Sequence, residues 1–117
     1  MVANVAMESG LKATYCVCSL SPQLSAALSS AEAPKVLDAS WHMNRARDAK
    51  AEFRAAHLPG ARFFDINSIS DRTSSLPHML PRSDEFESAV SDLGISSSNT
   101  VVVYTTGNCF SAARCWW

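Results

Sequence analysis

The sequence predicts an α/β domain with a mainly parallel sheet, because strand-like and helix-like segments alternate along the chain. The clearest strand is Thr100–Tyr104, which is rich in β-branched valine and apolar enough to be covered on both faces. The clearest helix is Asp84–Leu93, in which apolar side chains recur at helical spacing along one face. Ser83 is the predicted cap of this helix, and Gly94 stands where helices commonly end.

Shorter signals predict the elements that come first in the chain. Tyr15–Cys18 can form a short strand, and Ser21-Pro22 is a typical helix start that leads into an apolar stretch ending at Leu28. Lys35–Ser40 predicts a buried strand, with Asp38 emerging near its end. These segments place a helix between the first two strands, as a parallel sheet requires.

The middle of the chain continues the same alternation. Part of Asn44–His57 should be helical, because it is rich in alanine and charged residues and contains neither glycine nor proline. The Pro59-Gly60 turn leads into a predicted strand at Ala61–Phe64. The polar stretch Asn67–Leu76 is a predicted loop, and it returns to His78. Polar side chains therefore gather just beyond the end of a strand.

Size and composition limit the function classes. The chain has 117 residues, 47% of them hydrophobic and 18% charged, which is typical of one globular domain. A formal net charge of −1 argues against a nucleic-acid or membrane-surface partner. We expect residues 1–20 to be a loose N-terminal arm and residues 21–117 to form the domain. The arm has one basic residue, Lys12, which is atypical of a secretory or mitochondrial leader, so a cytoplasmic location is the default expectation.

Four cysteines are present: Cys16, Cys18, Cys109 and Cys115. Without a secretory signal we expect reduced thiols. Cys16 and Cys18 lack a second pair at a zinc-site spacing, and the three histidines are scattered. We therefore predict no metal site.

A series of short motifs then points to a family. They are Val36–Trp41, Arg47–Ala49, His57–Ala61, Phe63–Ile66, Ser70–Arg72, Pro77–Pro81, Leu93–Ile95, Val101–Tyr104 and Ser111–Trp117. In these motifs and their order, residues 21–117 resemble the first domain of the two-domain sulfurtransferases, thiosulfate sulfurtransferase (rhodanese) and 3-mercaptopyruvate sulfurtransferase. The resemblance implies a rhodanese-like domain and the transfer of sulfur through a cysteine persulfide, without a cofactor. It also implies a small sulfur-donor substrate and a thiol acceptor such as thioredoxin, and it leaves a mitochondrial location open.

The position where a persulfide would form carries no cysteine. In this family the sulfur-carrying cysteine directly follows a central strand, where backbone N–H groups stabilise the thiolate. The residue after Tyr104 is Thr105, and a hydroxyl is a poor sulfur carrier. The resemblance implies this loss, because the family's first domain is the non-catalytic copy. We therefore predict that this chain holds no catalytic residue and is inactive alone.

His78 and Asn67 are the predicted substrate-binding residues. In mercaptopyruvate-type relatives the histidine at the position of His78 helps to shape the substrate cleft, together with an acidic residue. Asn67 stands at the acidic position, and an amide can donate and accept hydrogen bonds but cannot hold a negative charge. The alternative is that His78 is a loop histidine bonded to nearby backbone.

The resemblance also predicts an incomplete domain. In the family the helix that begins at Ser111 continues, and a further strand and helix complete the sheet. We therefore expect Phe110, Trp116 and Trp117 to leave apolar surface in water, which promotes association and lowers stability. A thermal melt without a cooperative transition would agree with this expectation.

Two other functions stay open at this stage. The chain could be a catalytically silent interaction or regulatory module that docks a partner through its apolar end. It could also hold an anion in a phosphatase-like loop between Cys109 and Arg114, but four residues separate the two, one fewer than such a loop contains. Packing beneath the loop after the last strand is the alternative role for Cys109.

Overall fold

The computed structural model describes residues 14–17, 22–107 and 109–117. Strands and helices alternate along this part of the chain: β1 (Thr14–Val17), α1 (Pro22–Leu28), β2 (Lys35–Asp38), α2 (Ala49–Ala55), β3 (Arg62–Phe63), α3 (Ser83–Asp92), β4 (Val101–Tyr104) and α4 (Phe110–Trp116). The strands form one sheet in the order β1-β4-β2-β3, and every pairing is parallel. The predicted α/β fold with a mainly parallel sheet is confirmed.

Strand β4 lies inside the sheet and is covered on both faces, as its valine run predicts. Val101 and Val103 pack into a cluster that also contains residues of α4 and is covered by α3. Val102 points the other way and packs against Leu24 and Leu28 of α1. Successive side chains of a strand alternate between the two faces, so this run requires helices on both sides.

Helix α3 is close to its prediction, but its first turn differs. Ser83 was expected to cap the helix, and instead it is the first helical residue. The residue before it is Arg82, whose backbone N–H is taken by the Glu85 carboxylate at 3.3 Å, so a side chain within the first turn does the capping. Gly94 has φ +71 and donates to the Ser91 carbonyl at 2.8 Å, which confirms it as the stop.

The start of the chain differs from the expected arm. Most of residues 1–20 lie outside the described part, as does the predicted cap at Ser21. The four residues that are described, Thr14–Val17, pair with Val101–Tyr104 along their length. They belong to the sheet, because pairing with β4 satisfies their backbone groups. The strand predicted at Tyr15–Cys18 is therefore present one residue earlier.

Helix α2 lies within Asn44–His57, part of which was predicted to be helical. It spans Ala49–Ala55, because Asp48 caps the start and Ala56 has extended backbone angles that end the helix. Strands β2 and β3 are shorter than predicted: β2 ends at Asp38 instead of Ser40, and β3 contains two residues of the predicted Ala61–Phe64.

Apolar surface is exposed at the end of α4. Phe110 is 59% exposed and Trp117 is 79% exposed, as the sequence predicts, whereas Trp116 is partly buried. A half-open cavity of about 550 Å³ lies beside them, between α3, α4 and the sheet. Phe86, Val103 and Cys115 are among the side chains that line it.

Candidate functional site

The carboxyl ends of β2, β3 and β4 lie together at one edge of the sheet. The register pairs Asp38 with both Phe63 and Tyr104, so these strands end at the same level. The loops that follow them therefore meet above this edge. In open parallel sheets this is where ligands usually bind.

The structure brings the two predicted substrate-binding residues together. The ring Nε2 of His78 lies 2.9 Å from Oδ1 of Asn67. An amide oxygen only accepts, so the ring nitrogen donates this hydrogen bond. The carboxylate of Asp65 accepts from the Asn67 backbone N–H at 3.0 Å, and the buried Ile66 anchors the same segment in the core. The side chains of His78 and Asn67 both remain partly or largely exposed, as binding groups need to be.

The imidazole of His78 also contacts an aromatic ring. The ring centroids of Trp41 and His78 are 5.0 Å apart, and their planes meet at 81°. An edge-to-face contact of this kind orients both rings. Trp41 follows β2, so the loop after β2 and the loop that carries His78 together form one wall of the site.

Two backbone N–H groups of the loop after β4 donate hydrogen bonds to hydroxyl groups. The Thr106 backbone N–H donates to the Ser40 hydroxyl at 2.9 Å. The Gly107 backbone N–H donates to the hydroxyl of Thr105 at 3.3 Å. An anion-binding loop needs N–H groups that point at the anion, and these two are already taken by the protein itself. These two amides are therefore not available to stabilise a thiolate.

Neither of the cysteines whose side chains are described stands at the Thr105 position. Cys109 directly precedes α4 and is disulfide-bonded, so the expectation of reduced thiols is wrong for this residue. Cys115 is 8% exposed and packs in the apolar cluster beneath α4. The side chains of Cys16 and Cys18 lie outside the described part of the structure.

A network of charged side chains lies beside the loop after β4 and was not predicted from the sequence. The Glu52 carboxylate is 2.9 Å from Nε2 of His42, and it accepts two hydrogen bonds from Arg47, at 2.8 and 2.7 Å. The hydrogen bond from Arg47 is the main cause that lowers the pKa of Glu52 to about 2, and His42 contributes in the same direction. A Cβ added at Gly107 would lie 3.3 Å from Nδ1 of His42. The His42 ring therefore packs tightly against Gly107 in the loop after β4.

Arg47 and Asp48 precede α2, and Asp48 caps the helix by accepting from the Ala51 N–H at 3.0 Å. His57 follows the helix: it stacks on Phe53 at 4.1 Å between ring centroids and bonds the Phe53 carbonyl at 2.7 Å.

A buried pair joins the ends of β2 and β4. The Asp38 side chain is 2% exposed and accepts from the Ser40 N–H at 2.8 Å. The Tyr104 hydroxyl accepts from the Leu58 N–H at 3.3 Å. Burial, and then the hydrogen bond to Asp38, raise the pKa of Tyr104. These contacts fix the strand ends that carry the site.

A cleft of about 440 Å³ opens beside this edge, and charged groups of both signs surround it. Its lining residues include Trp41, Arg45, Lys50, Asp65 and Asn67. Within the described ranges no three His, Cys, Asp or Glu side chains are grouped closely enough to hold a metal ion. No helix in those ranges has the length and apolar character needed to cross a membrane.

Comparison with known proteins finds relatives that are named as sulfurtransferases. No protein-family model matches the chain. Thiosulfate/3-mercaptopyruvate sulfurtransferase 1, mitochondrial, of Arabidopsis thaliana is 51% identical over 84 residues, which cover 71% of this chain and 22% of the relative. The 3-mercaptopyruvate sulfurtransferase of Homo sapiens is 42% identical over 113 residues, which cover 83% of this chain and 38% of the relative. The chain therefore spans well under half the length of these curated relatives.

A solved structure agrees with these relatives. The crystal structure of SseA from Escherichia coli, described as a 3-mercaptopyruvate sulfotransferase with the rhodanese fold, superposes with a TM-score of 0.74 at 40% sequence identity. The match covers 81% of this chain and 37% of that one. With the parallel sheet and the sequence identities above, it shows that the chain belongs to the rhodanese-like sulfurtransferase family.

Proposed function

We propose that this chain is the non-catalytic rhodanese-like part of a thiosulfate/3-mercaptopyruvate-type sulfurtransferase, in which sulfur passes through a cysteine persulfide. The observation that carries the proposal is Thr105, which follows Tyr104 where the sulfur-carrying cysteine would stand. The neighbouring amides of Thr106 and Gly107 are bonded to hydroxyl groups. The names of the relatives support sulfur transfer and favour it over an interaction module.

In this function His78 and Asn67 bind the small sulfur donor. Their polar groups meet at 2.9 Å at the carboxyl edge of the sheet, and Asn67 also lines the 440 Å³ cleft. A cleft of this size accommodates a small keto acid or thiosulfate. Asn67 is uncharged, so its role is to hydrogen-bond the donor and orient the imidazole, and not to move a proton.

The remaining parts of the proposal concern organisation and partners. Residues 21–117, together with strand β1, make up the rhodanese-like unit. A thiol such as that of thioredoxin accepts the sulfur at a catalytic cysteine that the loop after β4 does not provide. The protein works in the cytoplasm or the mitochondrion, and a relative named as mitochondrial supports the second location.

A ligand titration tests the substrate role directly. The probe is pyruvate, which is 3-mercaptopyruvate without its sulfur and therefore does not react. We expect the ring signals of His78 to shift in the NMR spectrum of histidine-labelled protein as pyruvate is added. Asn67→Ala should weaken the response, because the ring loses its hydrogen-bond acceptor.

The matched control is His57→Gln, which removes another exposed histidine, one whose described contacts are with Phe53 and not with His78 or Asn67. This variant should leave the pyruvate response at His78 unchanged. Saturating pyruvate that moves no His78 signal in the folded wild-type chain would refute the substrate role.

A further inference from the structure

His78 has an uncommon backbone conformation. Its φ is +58°, and it is the only non-glycine residue of the described chain with a positive φ. The left-handed region is uncommon for non-glycine residues, although histidine enters it more readily than most, so contacts around His78 help to hold it there. Strain of this kind persists where neighbouring contacts over-determine the backbone.

Arg114 of α4 provides two such contacts. Its Nε donates to the His78 carbonyl at 2.9 Å, and its Nη2 donates to the Met79 carbonyl at 3.1 Å. One guanidinium therefore bonds two successive carbonyls, which fixes the orientation of the peptide group between them. The Met79 carbonyl also accepts from the Asp71 N–H at 2.9 Å, so the far side of the loop is tied to the same point.

The character of arginine suits this position. Arg114 is partly buried, and burial lowers its pKa from the ordinary value, but a guanidinium stays protonated at neutral pH. Its donors form a rigid planar fork, so two acceptors can be held at once. Lysine offers a single mobile nitrogen and cannot reproduce this geometry.

The side chain of His78 is held by two other residues. Asn67 accepts from its Nε2 at 2.9 Å, and the Trp41 ring packs against its edge with centroids 5.0 Å apart. Both contacts are made with the backbone of His78 at its observed angle. In the described contacts Arg114 bonds the carbonyl of His78 and not its ring.

We propose that Arg114 is a positioning residue that holds His78 in its left-handed conformation and thereby presents the imidazole to the sulfur donor. The inference rests on the proposed substrate role of His78 and adds a residue to that site. It also links two loops of the edge, because α4 begins directly after the loop that follows β4.

The test compares Arg114→Gln and Arg114→Lys with the wild-type chain by NMR, without ligand. In the wild type we expect cross-relaxation between the ring protons of His78 and Trp41. Arg114→Gln should lose it, while Arg114→Lys should retain part of it because lysine can still bond one carbonyl. Unchanged contacts between these two rings in folded Arg114→Gln would overturn the proposal.

Two controls separate positioning from general stability. The stacked rings of Phe53 and His57 should keep their cross-relaxation in every variant, which reports an intact fold. Arg82→Gln removes an exposed arginine whose side chain pairs with Asp84, and it should leave the His78 signals unchanged.

A second measurement keeps the proposal testable if Arg114→Gln unfolds. Glycine adopts positive φ without strain, so in His78→Gly the hydrogen bonds from Arg114 are no longer needed to hold the left-handed conformation. The loss of melting temperature caused by Arg114→Gln should then be clearly smaller in the His78→Gly background than in the wild type. Equal losses in the two backgrounds would overturn the proposal.

A measurement of pyruvate binding distinguishes this inference from the proposed function. If His78 binds pyruvate, Arg114→Gln should raise the dissociation constant by about tenfold, the factor expected for one lost hydrogen bond. Lost ring contacts in Arg114→Gln, with no pyruvate response in the wild type, would support positioning by Arg114 and refute the substrate role of His78.

Discussion

At the scale of single residues, the chemistry of the sheet edge depends on the side chain that follows Tyr104. Thr105 offers a hydroxyl, which accepts a hydrogen bond from Gly107 and does not ionise at neutral pH. A persulfide requires a sulfur atom that can exist as a thiolate at this point. The residue that follows Tyr104 therefore does not provide the group that would carry sulfur.

Asn67 gives His78 an uncharged partner. An acidic side chain at this position would hold a negative charge beside His78, whereas the amide provides an acceptor without charge. The hydrogen bond can therefore orient the imidazole, but the amide cannot accept a proton from it at neutral pH.

The Tyr104 hydroxyl is predicted to stabilise the edge of the sheet. Tyr104→Phe removes the partner of the Leu58 N–H and a hydrogen bond to the buried Asp38 carboxylate. We expect the free energy of unfolding to fall by about 1–3 kcal/mol, as measured by denaturant titration.

The control for this prediction is a double-mutant cycle with Asp38→Asn. With the carboxylate charge removed, Tyr104→Phe should be less destabilising than in the wild type. Strictly additive losses would show that the two side chains do not interact.

The lowered pKa of Glu52 predicts that its ionised carboxylate stabilises the folded chain and that acid removes this stabilisation. Its pKa is about 2 in the folded chain, below the value of about 4.3 expected when unfolded. The stabilisation is therefore present above the unfolded pKa and is lost as the pH falls toward 2. Glu52→Gln should flatten the decline of stability between roughly pH 5 and pH 2, measured by chemical unfolding at each pH.

Arg82→Gln is the matched control, because the Arg82–Asp84 pair is exposed on both sides and should contribute little. If Glu52→Gln and the wild type lose stability equally over this pH range, the hydrogen bonds around Glu52 do not act as described.

At the scale of elements, the segments with a clear periodic pattern were the most predictable. Helix α3 differs from its predicted range by one residue at each end and strand β4 by one residue at its start, because an apolar face or a valine run leaves few alternatives. Strand β3 was predicted as twice its length, since an apolar run does not reveal where a backbone ladder stops. The capping by Glu85 was missed because Ser83 offers an equally plausible local signal.

The site was predictable only in part, for physical reasons. The proximity of His78 and Asn67 follows from a family resemblance, and the structure places them within hydrogen-bond distance. The network of His42, Arg47 and Glu52 depends on how a loop folds back onto α2, which no periodicity encodes. The positive φ of His78 also leaves no sequence signal, because glycine or asparagine is the usual residue there.

Gly94 gives a prediction for the end of α3. Its φ is +71°, and a Cβ built there would meet nothing within 4 Å, so a substitution is disfavoured by the backbone conformation alone. Gly94→Ala should lower the free energy of unfolding by about 1 kcal/mol, measured by denaturant titration.

Gly94→Asn is the control, because asparagine tolerates the left-handed region better than alanine does. It should be less destabilising than Gly94→Ala. Equal effects of the two substitutions would indicate that something other than backbone conformation sets the stability at this position.

At the scale of the whole molecule, strands and helices of the described chain alternate around a parallel sheet whose carboxyl edge carries the polar site. The same molecule exposes Phe110 and Trp117 beside an apolar cavity, on the face covered by α3 and α4. The apolar cavity and the cleft at the carboxyl edge of the sheet share no lining residue, so they occupy separate regions. The relatives that contain this unit are much longer, and their names assign sulfur transfer to the whole protein.

The most direct test asks whether the chain itself takes up sulfur. Purified residues 1–117, with and without prior reduction of disulfides, are incubated with thiosulfate or 3-mercaptopyruvate and examined by intact-protein mass spectrometry. Because no thiol follows Tyr104, we predict no gain of a sulfur atom beyond that seen with a small free thiol. A stoichiometric, cyanide-sensitive sulfur adduct that disappears in Cys109→Ser or Cys115→Ser would contradict the account.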